Sequence, residues 1–134
     1  MRKLLVALLV ALTGCSMSAD SKLAEQAVVQ FHEMLDAEQF DAIYEQSSDE
    51  LKKSATKEKL VALLQGIHKK LGATRASDLQ GWKVNYQTSG SFVTLTYSTF
   101  YVEDKAQEQF VYRLLGEKAL LVSYHIESDV LITK

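Results

Sequence analysis

Residues 60–102 read LVALLQGIHKKLGATRASDLQGWKVNYQTSGSFVTLTYSTFYV, and the spacing of their apolar residues changes once. Before Gly72, the residues Leu60, Leu63, Leu64, Ile67 and Leu71 recur every three or four positions, which places them on one face of a helix. The spacing predicts that helix over 57–71. Thr56 can cap its start, Lys69 and Lys70 suit its C-terminal dipole, and Gly72 ends it. After Gly72 the period is two: Trp82, Val84 and Tyr86 alternate with Lys83, Asn85 and Gln87. A Ser89-Gly90-Ser91 turn follows. Then Val93, Leu95, Tyr97, Thr99 and Tyr101 share one face of a second strand, while Phe92, Phe100 and Val102 fall on the other.

Working outward, Leu23, Ala27, Val28, Phe31, Met34 and Leu35 mark an earlier helix with Asp20 or Ser21 available as N-cap. Phe40, Ile43 and Tyr44 mark a short helix at 39–46, and Ser47-x-x-Glu50 has capping-box spacing for another. Toward the C-terminus, Phe110, Tyr112 and Leu114 read as a third strand. A turn at Gly116-Glu117 leads to a fourth through Leu120, Val122, Tyr124 and Ile126. Helices first and a meander afterwards predict an α+β fold, with the helices on one face of an antiparallel sheet.

The chain opens MRKLLVALLVALTGCSMSAD. Two basic residues precede nine apolar ones, Leu4 to Leu12, which is the layout of a secretory signal peptide. Nine helical residues span roughly 14 Å, about half of a ~30 Å bilayer core, so the segment is too short to cross it. Leu12-Thr13-Gly14-Cys15 resembles the lipobox of bacterial lipoproteins. The resemblance implies cleavage between Gly14 and Cys15, lipidation of the Cys15 sulfur, and acylation of the new terminus. Two or more acyl chains anchor a protein stably where one does not. Ser16 in place of the aspartate of inner-membrane retention implies the outer membrane, facing the periplasm. The expected organisation is a signal peptide at 1–14, a lipidated tether at 15–20 and one domain at 21–134. The tether residues 16–20 reach at most about 18 Å.

Removing residues 1–14 leaves 120 residues, enough for one domain with a real core. It also removes Arg2 and Lys3, leaving 13 basic against 17 acidic side chains, a charge of −4. No basic stripe remains, which argues against nucleic-acid binding. Cys15 is the single cysteine, so lipidation leaves no thiol for a disulfide. The chain has no proline, and its turns rest on Gly, Ser, Asn and Asp.

The stretch FHEMLDAEQFDAIY, with Phe40-Asp41-Ala42-Ile43-Tyr44 at its end, precedes a helix closing on KKLG and then four strands. A late hairpin runs Gly116 to Ile126 through Leu120 and Tyr124. This combination, over about residues 22–130, resembles small bacterial envelope proteins with a cystatin-like or nuclear-transport-factor-2-like fold. The resemblance implies N-terminal helices packed on a curved four-stranded antiparallel sheet, with room for a conical pocket between them. Some such folds, ketosteroid isomerase among them, place a carboxylate and a tyrosine in that pocket.

Candidate acids for such chemistry are Asp36, Asp41 and Glu103; candidate phenols are Tyr44, Tyr86, Tyr97, Tyr101, Tyr112 and Tyr124. None has a spacing that demands catalysis, and Asp36 and Asp41 serve equally as helix caps beside a turn. His32, His68 and His125 lie on separate elements, so no metal site is expected. No serine sits in a G-x-S-x-G elbow and no glycine-rich phosphate loop occurs, so no cofactor is expected. The aromatic residues supply the core; among them Tyr44, Trp82, Tyr97 and Tyr124 are the candidates to line a ligand pocket. Phe92, Phe100 and Val102 need a cover, such as a second copy in a homodimer. The expected function is a membrane-anchored envelope protein that binds a protein or a small apolar ligand without catalysis. The alternatives are a small pocket enzyme on the same fold and a periplasmic hydrolase inhibitor.

Overall fold

The computed structural model describes the backbone of residues 15–133 and the side chains of residues 19–132. The signal segment through Gly14, and the side chain of Cys15, lie outside the described residues, and the cleavage and lipidation expectations with them. Among the described residues, five helices and four strands follow in order: α1 (Cys15–Asp36), α2 (Phe40–Glu45), α3 (Asp49–Ser54), α4 (Lys57–Leu71), β1 (Thr74–Gln87), β2 (Gly90–Tyr101), β3 (Lys105–Leu115), β4 (Lys118–Glu127) and α5 (Asp129–Thr133). The strands form one sheet in the order β1-β2-β3-β4, antiparallel throughout. The fold is α+β, with the N-terminal helices packed on the sheet.

Local chemistry explains most boundaries. Thr56 Oγ1 accepts from the Lys59 amide at 3.2 Å and starts α4, and Gly72 at φ 78° ends it. That φ favours glycine, and a Cβ there would stand 3.1 Å from the Val102 side chain. The cap of α3 is Ser48 rather than Ser47: Ser48 Oγ accepts from the Leu51 amide, while the Ser47 hydroxyl donates back to Ile43 O at 2.7 Å. α1 begins at Cys15, so residues 16–20 are helical and not an extended tether. Ser21 consequently sits inside the helix, donating to Glu25 Oε2 at 2.9 Å instead of capping it. Asp36 caps nothing; it accepts from both the amide and the hydroxyl of Thr74, at 3.0 and 2.6 Å, and pins the end of α1 to the start of β1.

The sheet turns one face to the helices. Val93, Leu95, Tyr97 and Tyr101 of β2 are buried with Phe110 and Tyr112 of β3 against Val28, Phe31 and Leu35 of α1 and Leu64, Ile67 and Leu71 of α4. α1 packs against all four strands. Two extra residues, Arg75 and Gln80, break the β1–β2 register. Such bulges bend a strand and raise its twist, which lets β1 follow α1. Phe100 and Val102 face outward and are exposed.

Leu64 is fully buried at the centre of the α4 face. Leu64→Ala is expected to lose about 2–5 kcal/mol, the transfer and cavity cost of a buried leucine. Urea denaturation should show a lower midpoint at an unchanged slope.

Candidate functional site

A carboxylate lies under α1. Glu108 is on β3 at an inward position between Ala106 and Phe110, and its exposure is 0%. An isolated charge there would be costly, but four donors converge on it. Oε1 accepts from Thr99 Oγ1 at 2.5 Å and meets His32 Nε2 at 2.8 Å. Oε2 accepts from the hydroxyls of Tyr101 and Tyr124, at 2.6 and 2.5 Å. Burial pushes the Glu108 pKa upward, yet His32, Thr99 and Tyr101 outweigh it and hold it below the ordinary glutamate value. The group is therefore a carboxylate, and His32 Nε2 must carry the proton between them.

The tyrosines answer the same charge. Burial, then the Glu108 charge, raises the pKa of both Tyr101 and Tyr124 well above the usual phenol value. Burial, then Glu25 and Glu108, pushes Tyr97 up to about 12. All three phenols stay protonated at neutral pH, and those of Tyr101 and Tyr124 donate to the carboxylate.

With Nε2 committed, the second nitrogen of His32 points to β1. Nδ1 lies 3.4 Å from Ser77 Oγ, which is also 3.2 Å from Thr99 Oγ1. Ser77, His32 and Glu108 thus stand in the order of a nucleophile, its base and an orienting acid. The 3.4 Å separation exceeds the 2.6–3.2 Å of an engaged nucleophile and base. The arrangement reads as an ordered polar floor.

That floor opens into a cleft of about 460 Å³ between α1 and β1. Val28, Val29, Leu79 and Tyr97 form its apolar walls; Glu25, Glu33 and Arg75 stand at its rim. A larger hollow of about 560 Å³ lies between Leu23, Gln26 and the Glu117–Leu120 segment. It touches no atom of the Glu108 network, so the cleft is the better candidate site.

The four candidate pocket residues do not meet. Tyr97 lines the cleft, and Tyr124 lies across the Glu108 network beside a smaller apolar hollow with Leu51, Leu60 and Leu63. Trp82 is on the helix-facing side of β1 but is 42% exposed. Tyr44 is on α2, its hydroxyl donating to Ala55 O at 3.4 Å. Of the candidate acids, Asp36 binds Thr74 and lines the cleft, Asp41 lies 3.9 Å from Lys57 Nζ, and Glu103 donates its amide to Leu71 O. His68 packs near Phe40, and exposed His125 pairs with Glu127 at 3.4 Å. No cluster of three or more metal-ligating side chains occurs among the described residues. Sequence reasoning missed Glu108 and Ser77. The signal for Glu108 was its even spacing from Phe110 and Tyr112, which places it on their face.

A family model described as "Protein of unknown function (DUF4019)" matches residues 27–122, a span that includes His32, Ser77, Thr99, Tyr101 and Glu108 and ends two residues before Tyr124. No curated protein and no solved structure matches.

Glu108→Gln keeps the shape but turns an amide toward two of the four donors. It is expected to cost about 3 kcal/mol at pH 7, the lower end for breaking a buried pair. Because the folded-state pKa is depressed, the carboxylate's contribution is full above the ordinary value of 4.5 and is lost as pH falls through the folded pKa. Calorimetry should show the wild type losing this increment in acid and the variant lacking it throughout.

Proposed function

The chain belongs to the DUF4019 family of proteins of unknown function, and from that premise we propose a lipid-anchored envelope protein that binds a small apolar ligand in the cleft between α1 and β1. The observation that carries the binding reading is the cleft itself. Apolar walls rise over a floor where His32 Nδ1 and Ser77 Oγ are held in place by a fully hydrogen-bonded carboxylate. Ligand sites commonly combine apolar walls with a few fixed polar groups. Val29, 58% exposed on α1, is an apolar wall residue still facing water. The role assigned to the floor is orientation of the ligand, not catalysis.

The anchor reading rests on Leu12-Thr13-Gly14-Cys15 after nine apolar residues. Cys15 carries the lipid, the new terminus follows cleavage after Gly14, and the domain faces the periplasm from the outer membrane. No helix among the described residues is long and apolar enough to cross a membrane.

Two measurements address the two parts. Metabolic labelling with a radioactive fatty acid should mark the wild type and not Cys15→Ala; continued labelling of that variant rejects the anchor. The neutral dye N-phenyl-1-naphthylamine should bind one-to-one with a saturable rise in fluorescence. Val29→Glu should weaken it at least tenfold, while Ile132→Glu, an exposed site on α5, should leave it unchanged. Equal loss in both variants rejects the cleft.

A further inference from the structure

α1 and β1 run side by side in opposite directions: Asp36 meets Thr74, His32 meets Ser77, and Asp20 Oδ2 accepts from the Tyr86 hydroxyl at 3.0 Å. The start of α1 therefore shares one end of the fold with the β1–β2 turn at 88–89. The β3–β4 turn at 116–117 lies there too, since Leu23 and Gln26 border the same hollow as Glu117 and Lys118. α1 is helical from Cys15, so Asp20 is about 8 Å along the axis from residue 15. The headgroup layer of a bilayer is itself roughly 5–8 Å deep on each side.

What this end presents suits that layer. Tyr86 is 55% and Leu115 57% exposed, with Trp82 four residues, about 13 Å, further along β1 from the turn. Aromatic residues with one apolar and one polar end favour the membrane–water boundary. Lys22, Lys83 and Lys118 are exposed at or near the same end. The same end carries two acids, Asp20 and exposed Glu117, while the opposite end, around the β2–β3 turn and α5, carries Glu103, Asp104, Glu127 and Asp129 beside Lys69, Lys70 and Lys105. Three lysines against two acids leave this end with a small positive excess, which favours an anionic headgroup surface.

We propose that the end of the domain carrying Tyr86 and Leu115 lies on the phospholipid surface that anchors Cys15, with both side chains entering the headgroup layer. Lys22, Lys83 and Lys118 face the anionic headgroups. The proposal rests on the anchor reading above. It leaves the α1–β1 cleft opening sideways, along the membrane, with the β2–β3 turn and α5 outermost.

Trp82 is the single tryptophan, so one reporter can be moved without interference. The full chain would be produced in its lipidated form and placed in phosphatidylethanolamine–phosphatidylglycerol vesicles containing phospholipid brominated near the headgroup. In a Trp82→Phe background, Tyr86→Trp and Leu115→Trp each report on the proposed surface, and Ile132→Trp reports on the opposite end. The expected result is several-fold stronger quenching for Tyr86→Trp and Leu115→Trp than for Ile132→Trp. Equal quenching at all three sites overturns the proposal. Mass spectrometry of the same samples separates the two readings. Acyl mass on Cys15 with no quenching at positions 86 and 115 overturns the surface alone, and absence of that mass overturns both.

Discussion

One carboxylate, taken out of water and given four donors, organises this fold. Glu108 joins β3 to α1 through His32, to β2 through Thr99 and Tyr101, and to β4 through Tyr124. Removing any donor would leave part of a buried charge uncompensated, a far larger penalty than losing an exposed ion pair. The network is directional as well as stabilising. Apolar side chains tolerate a helix sliding along a sheet, whereas His32 Nε2 can reach Glu108 Oε1 in one register only. The orientation of α1 is thus set by hydrogen-bond geometry laid over ordinary core packing.

The apolar residues complete what the network positions. Phe31, one residue before His32, packs its ring 5.1 Å from Phe110 and 4.7 Å from Tyr124. Adjacent residues on a helix face different directions, so Phe31 covers the β3–β4 side of the carboxylate while His32 turns toward β1. Phe110 also stacks on Tyr112, making β3 the aromatic centre of the sheet. On the β1 side no such ring closes the gap, and the cleft remains. Its floor is rigid because the same atoms are spoken for by the core.

Much of this architecture was legible in the residues. Leu60, Leu64, Ile67 and Leu71 repeat with the helical period and are all buried, and Val93, Leu95, Tyr97 and Tyr101 alternate and are all buried. The cap at Thr56 and the stop at Gly72 follow from their own chemistry. The misreadings have a common cause. β3 begins at Lys105, five residues before the first apolar residue that marks it, Phe110, because the inward residues of KAQEQ are the small Ala106 and the charged Glu108. β1 begins at Thr74, but TRASDLQ carries two bulges and an open cleft in place of an alternating apolar face. Ser47 and Ser48 compete for one cap, and the choice goes to Ser48, whose amide also reaches Leu121 O on β4.

The sequence by itself determined the helices, the meander and the face each turns inward, because apolar periodicity is a local property that burial merely rewards. It also supplied the lipobox resemblance at Cys15, a matter of adjacent residues. Only the tertiary structure decided the site. His32, Ser77, Thr99 and Glu108 are separated by up to 76 positions along the chain, and each alone is an unremarkable polar residue. Folding places them within hydrogen-bond reach, where the low dielectric of the interior makes their partnership obligatory. No pattern in the order of residues announces that meeting, since it depends on which strand lies beneath which helix.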